Sequence, residues 1–216
     1  MQYTVKKSAF PVKLDAGWDS EIWQQAKAAK IANGFEQNSD HTPDVQLKLL
    51  HDGSTIHGLF RVDDRYVAAR ARKDQDQVCR DSCVEFFVKP AGADCYFNFE
   101  MNCGGILLLY RCVDLASRNY IELPLEDLAT VKRYHSLPQI IDEEITEPTL
   151  WYLGFSIPTA LFEKYAGTDP VLDGQQWVAN FTKCADRTSH PTWLSWVKLS
   201  RLSFHLPDEF GKLIFE

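Results

Sequence analysis

Two neighbouring runs of strict alternation, at residues 84–89 and 96–102, constrain the fold of this chain more than any other feature. Successive side chains of a β-strand point to opposite faces, so each run divides its residues into two sets. One set is apolar: Val84, Phe86, Val88, Phe97, Phe99 and Met101. The other set is mostly polar: Glu85, Phe87, Lys89, Tyr96, Asn98, Glu100 and Asn102. The runs therefore predict two strands that cover a core with their first face.

The second face of these strands is a candidate binding site. The six residues between the runs, 90–95, are few enough for a hairpin. That hairpin would place Glu85 opposite Glu100 or Asn102, depending on the register. Carboxylates and amides hydrogen-bond hydroxyl groups, and aromatic rings cover the C–H faces of sugars, so the face suits a polyhydroxylated ligand. The alternative is a solvated sheet surface, but Phe87 and Tyr96 among the polar groups favour recognition.

The rest of the chain predicts mainly strands. Alternating or apolar runs lie at residues 45–51, 55–62, 106–113, 139–146, 150–157 and 175–184. Asp52-Gly53 is a strong tight-turn signal between the first two runs. Helical signals are confined to residues 19–30, with Asp19 as the expected cap, and to residues 158–165. This pattern predicts an all-β fold, an antiparallel β-sandwich with a few short helices, formed by residues 1–216 as a single domain.

Composition excludes several function classes. The 216 residues are 45% hydrophobic and 25% charged, as in an ordinary globular chain. The net charge of −7 argues against a nucleic acid or an anionic membrane surface as partner. Residues 1–13 lack the apolar segment of a secretion signal, and no stretch approaches transmembrane length. Together with six cysteines that we expect to be unpaired, these observations favour a cytoplasmic protein.

Two cysteines and a histidine are candidate ligands of a zinc site. Cys79 and Cys83 lie four residues apart, and His205 is a third possible zinc ligand. The closely paired cysteine or histidine ligands typical of zinc sites are missing, however. We therefore expect the cysteines to be small buried hydrophobic residues.

The order of motifs resembles the carbohydrate-binding module family 9-like domains, β-sandwiches related to the DOMON type. The resemblance covers most of the chain. Its carriers are residues 47–62 with Asp63-Asp64, residues 81–87, residues 97–102 with Gly104, residues 151–158, residues 177–181, Ser195-Trp196 and the ending 204–211. The ending is the most specific of these segments.

The resemblance implies binding of a mono- or oligosaccharide, xylan- or glucan-derived, without chemistry by the domain itself. Family members often accompany glycoside hydrolases, which makes such an enzyme a possible partner. In the family, two tryptophans clamp the sugar ring, while a carboxylate, an amide and a basic residue bind its hydroxyls. Glu85 and Asn102 match the carboxylate and the amide. Cys79 replaces the first tryptophan, and Glu100 replaces the basic residue.

Trp193 and Trp196 are the two candidates for the second aromatic wall. The alternative for each is a structural role, in the core or at the rim of the sandwich. No cofactor is required for binding. The resemblance also admits a structural calcium ion, for which Asp63, Asp64 and Asp81 are the candidate ligands in an acid-rich stretch that includes Asp74 and Asp76. No calcium-loop consensus is present, and a solvated acidic loop is the alternative.

Two other functions remain open. Glu85 and Glu100 on adjacent strands could act as the nucleophile and acid of a retaining glycosidase such as an endoxylanase, whose carboxyl groups lie about 5–5.5 Å apart. A β-sandwich that binds another protein through exposed aromatic residues is the third possibility. A sugar-dependent change in tryptophan fluorescence would separate the binding module from the last of these.

Overall fold

The structure, a computed structural model, describes residues 1–117 and 119–216. Within these ranges, sixteen strands outnumber three short α-helices, α1 (Glu21–Gln24), α2 (Leu125–Leu128) and α3 (Thr159–Ala166), and two 3-10 turns at Val78–Arg80 and Pro207–Glu209. The strands are β1 (Gln2–Lys7), β2 (Ala29–Ile31), β3 (Asn33–Gly34), β4 (Asp44–His51), β5 (Thr55–Asp64), β6 (Val67–Ala69), β7 (Cys83–Lys89), β8 (Tyr96–Asn102), β9 (Leu107–Asp114), β10 (Asn119–Glu122), β11 (Lys132–His135), β12 (Ile141–Ile145), β13 (Thr149–Pro158), β14 (Gln176–Cys184), β15 (Trp193–Ser195) and β16 (Gly211–Phe215). All the strands expected from the sequence are present.

The main strands form two layers, which confirms the all-β sandwich. The first layer has the order β10-β9-β8-β7-β14-β16-β1, and β15 and β3 extend it from β14. The second layer has the order β1-β4-β5-β13-β11, with β2 beside β4. β1 belongs to both layers, since its first half pairs with β16 and its second half with β4. These two pairings are parallel, a departure from the antiparallel sheet expected throughout.

The β7–β8 hairpin fixes the candidate site. Its register places Glu85 opposite Glu100, and Phe86 opposite Phe99. On its other side β7 pairs with β14, where Thr182 lies opposite Glu85. The apolar face predicted from the alternation is fully buried between the layers. The Phe86 ring, for example, stacks against Phe155 of the second layer, with 5.4 Å between the ring centroids.

The helix expected over residues 19–30 is a single turn in the structure. Ser20, rather than Asp19, caps α1 by accepting a hydrogen bond from the backbone N–H of Trp23. The Trp23 side chain is buried with Leu50 and Leu59. Beyond this turn the chain becomes extended, because β2 pairs with β4 and its alternate residues enter the core. Pairing and burial thus override a weak helical propensity.

The second predicted helix is confirmed as α3. Pro158 precedes it, and Gly167 ends it in the left-handed conformation at φ +64°. The strand expected at residues 139–146 is β12, which pairs with β6 in a small separate sheet. None of the helices in the described part of the chain is sufficiently long and apolar to span a membrane.

Candidate functional site

The polar face of the β7–β8 hairpin is buried rather than solvated. Glu85 is 3% exposed and Glu100 is 7% exposed. A stretch near the C-terminus, residues 202–210, which we name the covering segment, packs over this face. Its residues Phe204, His205 and Phe210 contact the Phe87 ring at centroid distances of 6.3, 5.1 and 5.9 Å. The face therefore lies beneath the covering segment instead of forming an open sheet surface.

A cavity of about 240 Å³ remains between the hairpin and the covering segment. Its floor is made by residues of β7, β8 and β14, and its walls come from segments distant in sequence. The lining residues are Cys79, Glu85, Phe87, Glu100, Cys184, Asp186, Trp193, Leu202, Ser203, Phe204 and His205. Carboxyl groups, an indole and an imidazole thus surround a space that solvent reaches.

Glu85 is held in place by its neighbours on β14. Its Oε2 accepts a hydrogen bond from the Thr182 hydroxyl, and its Oε1 accepts one from Cys184 Sγ at 3.1 Å. Burial raises the pKa of Glu85 to about 7, although these two hydrogen bonds act in the opposite direction. The carboxyl group therefore changes protonation near neutral pH.

Glu100 is the more strongly perturbed of the two acids. Its Oε1 accepts a hydrogen bond from Asn98 Nδ2 at 2.6 Å. Burial, and then the charge of Glu85, raise the pKa of Glu100 well above its ordinary value. The raised pKa favours the protonated form of Glu100, which has an O–H donor as well as acceptor oxygens. Asn98 is fully buried and orients this carboxyl group.

The walls supply an aromatic surface and a neutral imidazole. Trp193 is half-buried, and its Nε1 donates to Asp186 Oδ1 at 2.7 Å. The side chain of His205 lies 2.9 Å from the Tyr96 hydroxyl through Nδ1. Burial lowers the pKa of His205 to about 4, so that the ring is uncharged at neutral pH. Tyr96 itself is buried and positions His205 without lining the cavity.

Of the residues expected in the site, Tyr96, Asn98, Asn102 and Trp196 do not line the cavity. Asn102 is fully buried, and its Nδ2 donates to Asp81 at 2.9 Å while its Oδ1 accepts from the backbone N–H groups of Gly104 and Ile106. Its polar atoms are therefore used in the β8–β9 turn. Trp196 is 4% exposed and stacks on Phe181 at 4.7 Å. Trp196 is a core residue, and of the two tryptophans only Trp193 lines the cavity.

The aspartates proposed as calcium ligands do not converge. Asp64 is buried between two cationic or donor groups, with His41 Nε2 at 2.7 Å and Lys183 Nζ at 3.2 Å. Burial alone would raise the pKa of Asp64, but Lys183 and His41 lower it below its usual range. Asp81 accepts from Asn102 and from a backbone N–H group. Asp63 lies on the opposite side of β5, where it is exposed.

Atoms that could bind a metal ion lie close together on β7 and β14 instead. Within residues 1–117 and 119–216, the group whose ligand atoms all lie within 4.8 Å of one another is Cys83, Glu85 and Cys184. Cys79 and His205, the other two residues considered for zinc, are not in this group. All six cysteines lie in the described ranges and are free thiols.

Sequence patterns did not identify Cys184, Asp186 or the covering segment as part of the site. The one available signal was alternation in residues 175–184, which places Thr182 and Cys184 on the same face of a strand. Alternation does not reveal which strand will lie beside it. The pairing of β14 with β7 supplies that information.

Comparisons with known proteins agree with this architecture. The sequence model of carbohydrate-binding family 9 matches residues 20–215. The crystal structure of a candidate carbohydrate-binding protein from Bacteroides uniformis ATCC 8492 is 32% identical, with a TM-score of 0.88 over 100% of this chain and 99% of the other. A search of curated proteins finds no significant match.

A family 9 module from Caldicellulosiruptor kristjanssonii shares the fold at 11% identity. Its complexes with glucose and with cellotriose each have a TM-score of 0.66 over 100% of this chain. The matches cover 96% of the module in the first complex and 94% in the second. Because the family match spans almost the whole chain, this protein belongs to carbohydrate-binding family 9, a family of non-catalytic carbohydrate-binding modules.

Proposed function

We propose that this carbohydrate-binding domain holds one sugar ring in the cavity between the β7–β8 hairpin and the covering segment. The observation that carries the proposal is the pairing of Glu85 and Glu100, two buried carboxyl groups directly opposite each other beneath a half-exposed indole. Buried polar groups that face a cavity gain most from a ligand that supplies hydrogen bonds. A sugar supplies both hydroxyls and an apolar C–H face.

The protonation of the two acids gives them different roles toward hydroxyl groups. Glu100, whose raised pKa favours the protonated form, would donate to a sugar oxygen. The oxygens of Glu85 already accept from Thr182 and Cys184, so Glu85 would accept one further hydrogen bond through a remaining lone pair. Trp193 would stack on the C–H face of the ring.

The size of the cavity supports a small ligand. At about 240 Å³ it is smaller than the roughly 300–1,000 Å³ of pockets that hold drug-sized molecules. We therefore propose that a monosaccharide, or the terminal unit of an oligosaccharide, enters the cavity. The glucose and cellotriose complexes of the Caldicellulosiruptor module make glucose-type sugars the first ligands to test.

We also propose a cellular compartment and a partner enzyme for this domain. Six free thiols, four of which line no part of the cavity, fit a reducing compartment, which supports an intracellular sugar as the ligand. A glycoside hydrolase that releases such sugars would be a suitable partner. Cell fractionation tests the first point, since recovery of the protein outside the cell would contradict it.

Calorimetric titration with glucose, xylose, mannose, cellobiose and cellotriose tests sugar binding. We expect saturable heat with at least one glucose-type sugar, and chromatography should recover every sugar intact. Trp193→Ala should weaken binding about tenfold or more, because the ring loses its stacking surface. Trp18→Ala is the matched control, since Trp18 is a half-buried tryptophan outside the cavity.

Two outcomes would contradict the proposal. If a folded protein shows no heat with any sugar of the panel, the cavity is not a site for these ligands. If Trp193→Ala and Trp18→Ala retain equal affinity, sugars bind at a different surface. Shortened sugars after titration would instead indicate hydrolysis.

A further inference from the structure

We infer that Cys83, Glu85 and Cys184 form a binding site for a thiophilic divalent cation such as Zn²⁺. The inference concerns a second ligand class and does not depend on sugar binding in the adjoining cavity. It begins with the backbone, because Cys83 lies directly opposite Cys184 on the adjacent strands β7 and β14. Glu85 is two residues beyond Cys83, so its side chain emerges on the same face.

The ligand atoms of these residues already lie close together. The two sulfur atoms and a carboxylate oxygen are all within 4.8 Å of one another, and Cys184 Sγ is 3.1 Å from Glu85 Oε1. Zinc binds sulfur at about 2.3 Å and carboxylate oxygen at about 2.0–2.2 Å, so tetrahedral ligands lie roughly 3.5–4 Å apart. Small side-chain rotations would bring the three atoms to such separations around one ion.

The surroundings provide the support and access that a metal site requires. The Thr182 hydroxyl donates to Glu85 Oε2, and an outer hydrogen bond of this kind orients a ligating carboxylate. Glu85 and Cys184 line the cavity, which gives an ion a path from solvent. With three protein ligands, the fourth position would face the cavity and hold water or another small oxygen donor.

Two buried thiols and a carboxyl group also have an ordinary alternative, which is packing in the protonated state. Metal binding requires each thiol and the carboxyl group to lose a proton to solvent, whereas simple packing leaves all three groups protonated. Packing predicts no affinity for metal ions. The alternatives are therefore separated by direct titration with a metal.

The test is titration of the fully reduced, metal-free protein with Cd²⁺, which reports thiolate ligands through ultraviolet charge-transfer absorption. We expect one Cd²⁺ per chain, and we expect Zn²⁺ to displace it competitively. Cys184→Ser should weaken Cd²⁺ binding at least about tenfold, because serine replaces a soft thiolate ligand. Cys112→Ser is the matched control, since Cys112 is a buried thiol on β9 outside the group.

The inference is overturned if the folded wild-type protein shows no thiolate absorption at saturating Cd²⁺. It is also overturned if Cys184→Ser and Cys112→Ser bind Cd²⁺ equally well. Should Cys184→Ser fail to fold, Glu85→Gln keeps both thiols and is expected to lower affinity while retaining the absorption. Sugar titration of the metal-free protein is independent of all these results, so failure of one proposal leaves the other to be judged separately.

Discussion

At the scale of single residues, the unusual feature is a pair of buried carboxyl groups whose pKa values are both raised. Glu85 and Glu100 are opposite each other and buried, so ionisation of both is disfavoured by desolvation and by mutual repulsion. Neutral carboxylic acids donate as well as accept hydrogen bonds. This property distinguishes the cavity floor from an ordinary acidic patch.

The protonation of Glu100 is testable through its amide analogue. Glu100→Gln should retain sugar affinity within about threefold, because an amide N–H replaces the acid O–H and the carbonyl still accepts from Asn98. Glu100→Ala should weaken binding roughly tenfold, since loss of one hydrogen bond costs about 1–1.5 kcal/mol. Calorimetric titration compares both variants with Glu163→Gln, an exposed control on α3. Equal losses for Gln and Ala would contradict a neutral Glu100.

Glu85 should make folding stability depend on pH. Its folded pKa of about 7 exceeds the ordinary 4.5, so the folded state binds more protons between these values. The contribution of this group to stability is complete below pH 4.5 and is lost as the pH rises to about 7, by on the order of 3 kcal/mol. The contribution of His205 to folding stability has the opposite pH dependence. Its pKa is lowered to about 4, so its contribution decreases as the pH falls.

Urea unfolding between pH 5 and 8 measures the effect as a difference between variants. Subtracting the Glu85→Gln profile from the wild-type profile removes the His205 contribution, which both proteins share. The difference should decline as the pH rises, whereas the Glu163→Gln difference should stay flat. Parallel profiles for Glu85→Gln and wild type would show that Glu85 has an ordinary pKa in the folded protein.

At the scale of elements, the β8–β9 connection already provides partners for the polar atoms of Asn102. Its amide oxygen accepts from two backbone N–H groups of the turn, and its amide nitrogen donates to Asp81. The same chemistry that suits a sugar also suits a tight turn. Asp81 also accepts a hydrogen bond from the backbone N–H of Ala71. The Asn102 side chain therefore links the β8–β9 turn to the segments that contain Asp81 and Ala71.

This role predicts loss of stability for Asn102→Ala. Removal of the amide leaves the buried backbone N–H groups of Gly104 and Ile106 without their acceptor, which should cost about 1–3 kcal/mol in the free energy of unfolding. Sugar affinity of the folded fraction should remain within about threefold of wild type. Denaturant unfolding and calorimetry on the same preparation separate the two effects. Unchanged stability with greatly reduced affinity would return Asn102 to the binding site.

At the scale of the whole molecule, packing between the layers holds the polar face in position. Phe86 contacts Phe155 of the second layer at 5.4 Å and Phe181 of its own layer at 5.9 Å. β1 joins the layers by pairing with both. Phe86 lies on the face of β7 opposite to Glu85, and its packing thus anchors the hairpin that carries Glu85.

Truncation of this anchor gives a prediction for the entire fold. Phe86→Ala should lower the free energy of unfolding by about 3–5 kcal/mol, because it leaves a cavity in a fully buried position. The exposed control Phe10→Ala should change it by no more than about 0.5 kcal/mol. Denaturant unfolding measures both, and equal effects would contradict the placement of Phe86 between the layers.

The strand pattern, the β7–β8 hairpin and the separation of its two faces follow from the order of residues alone, because period-two alternation is a local property of the chain. The same local patterns carry the family resemblance. Tertiary packing, in contrast, places the covering segment over the polar face, brings Trp193 rather than Trp196 to the cavity, and sets Cys184 opposite Cys83. These contacts join residues about a hundred positions apart, and local patterns do not encode which distant segments become neighbours.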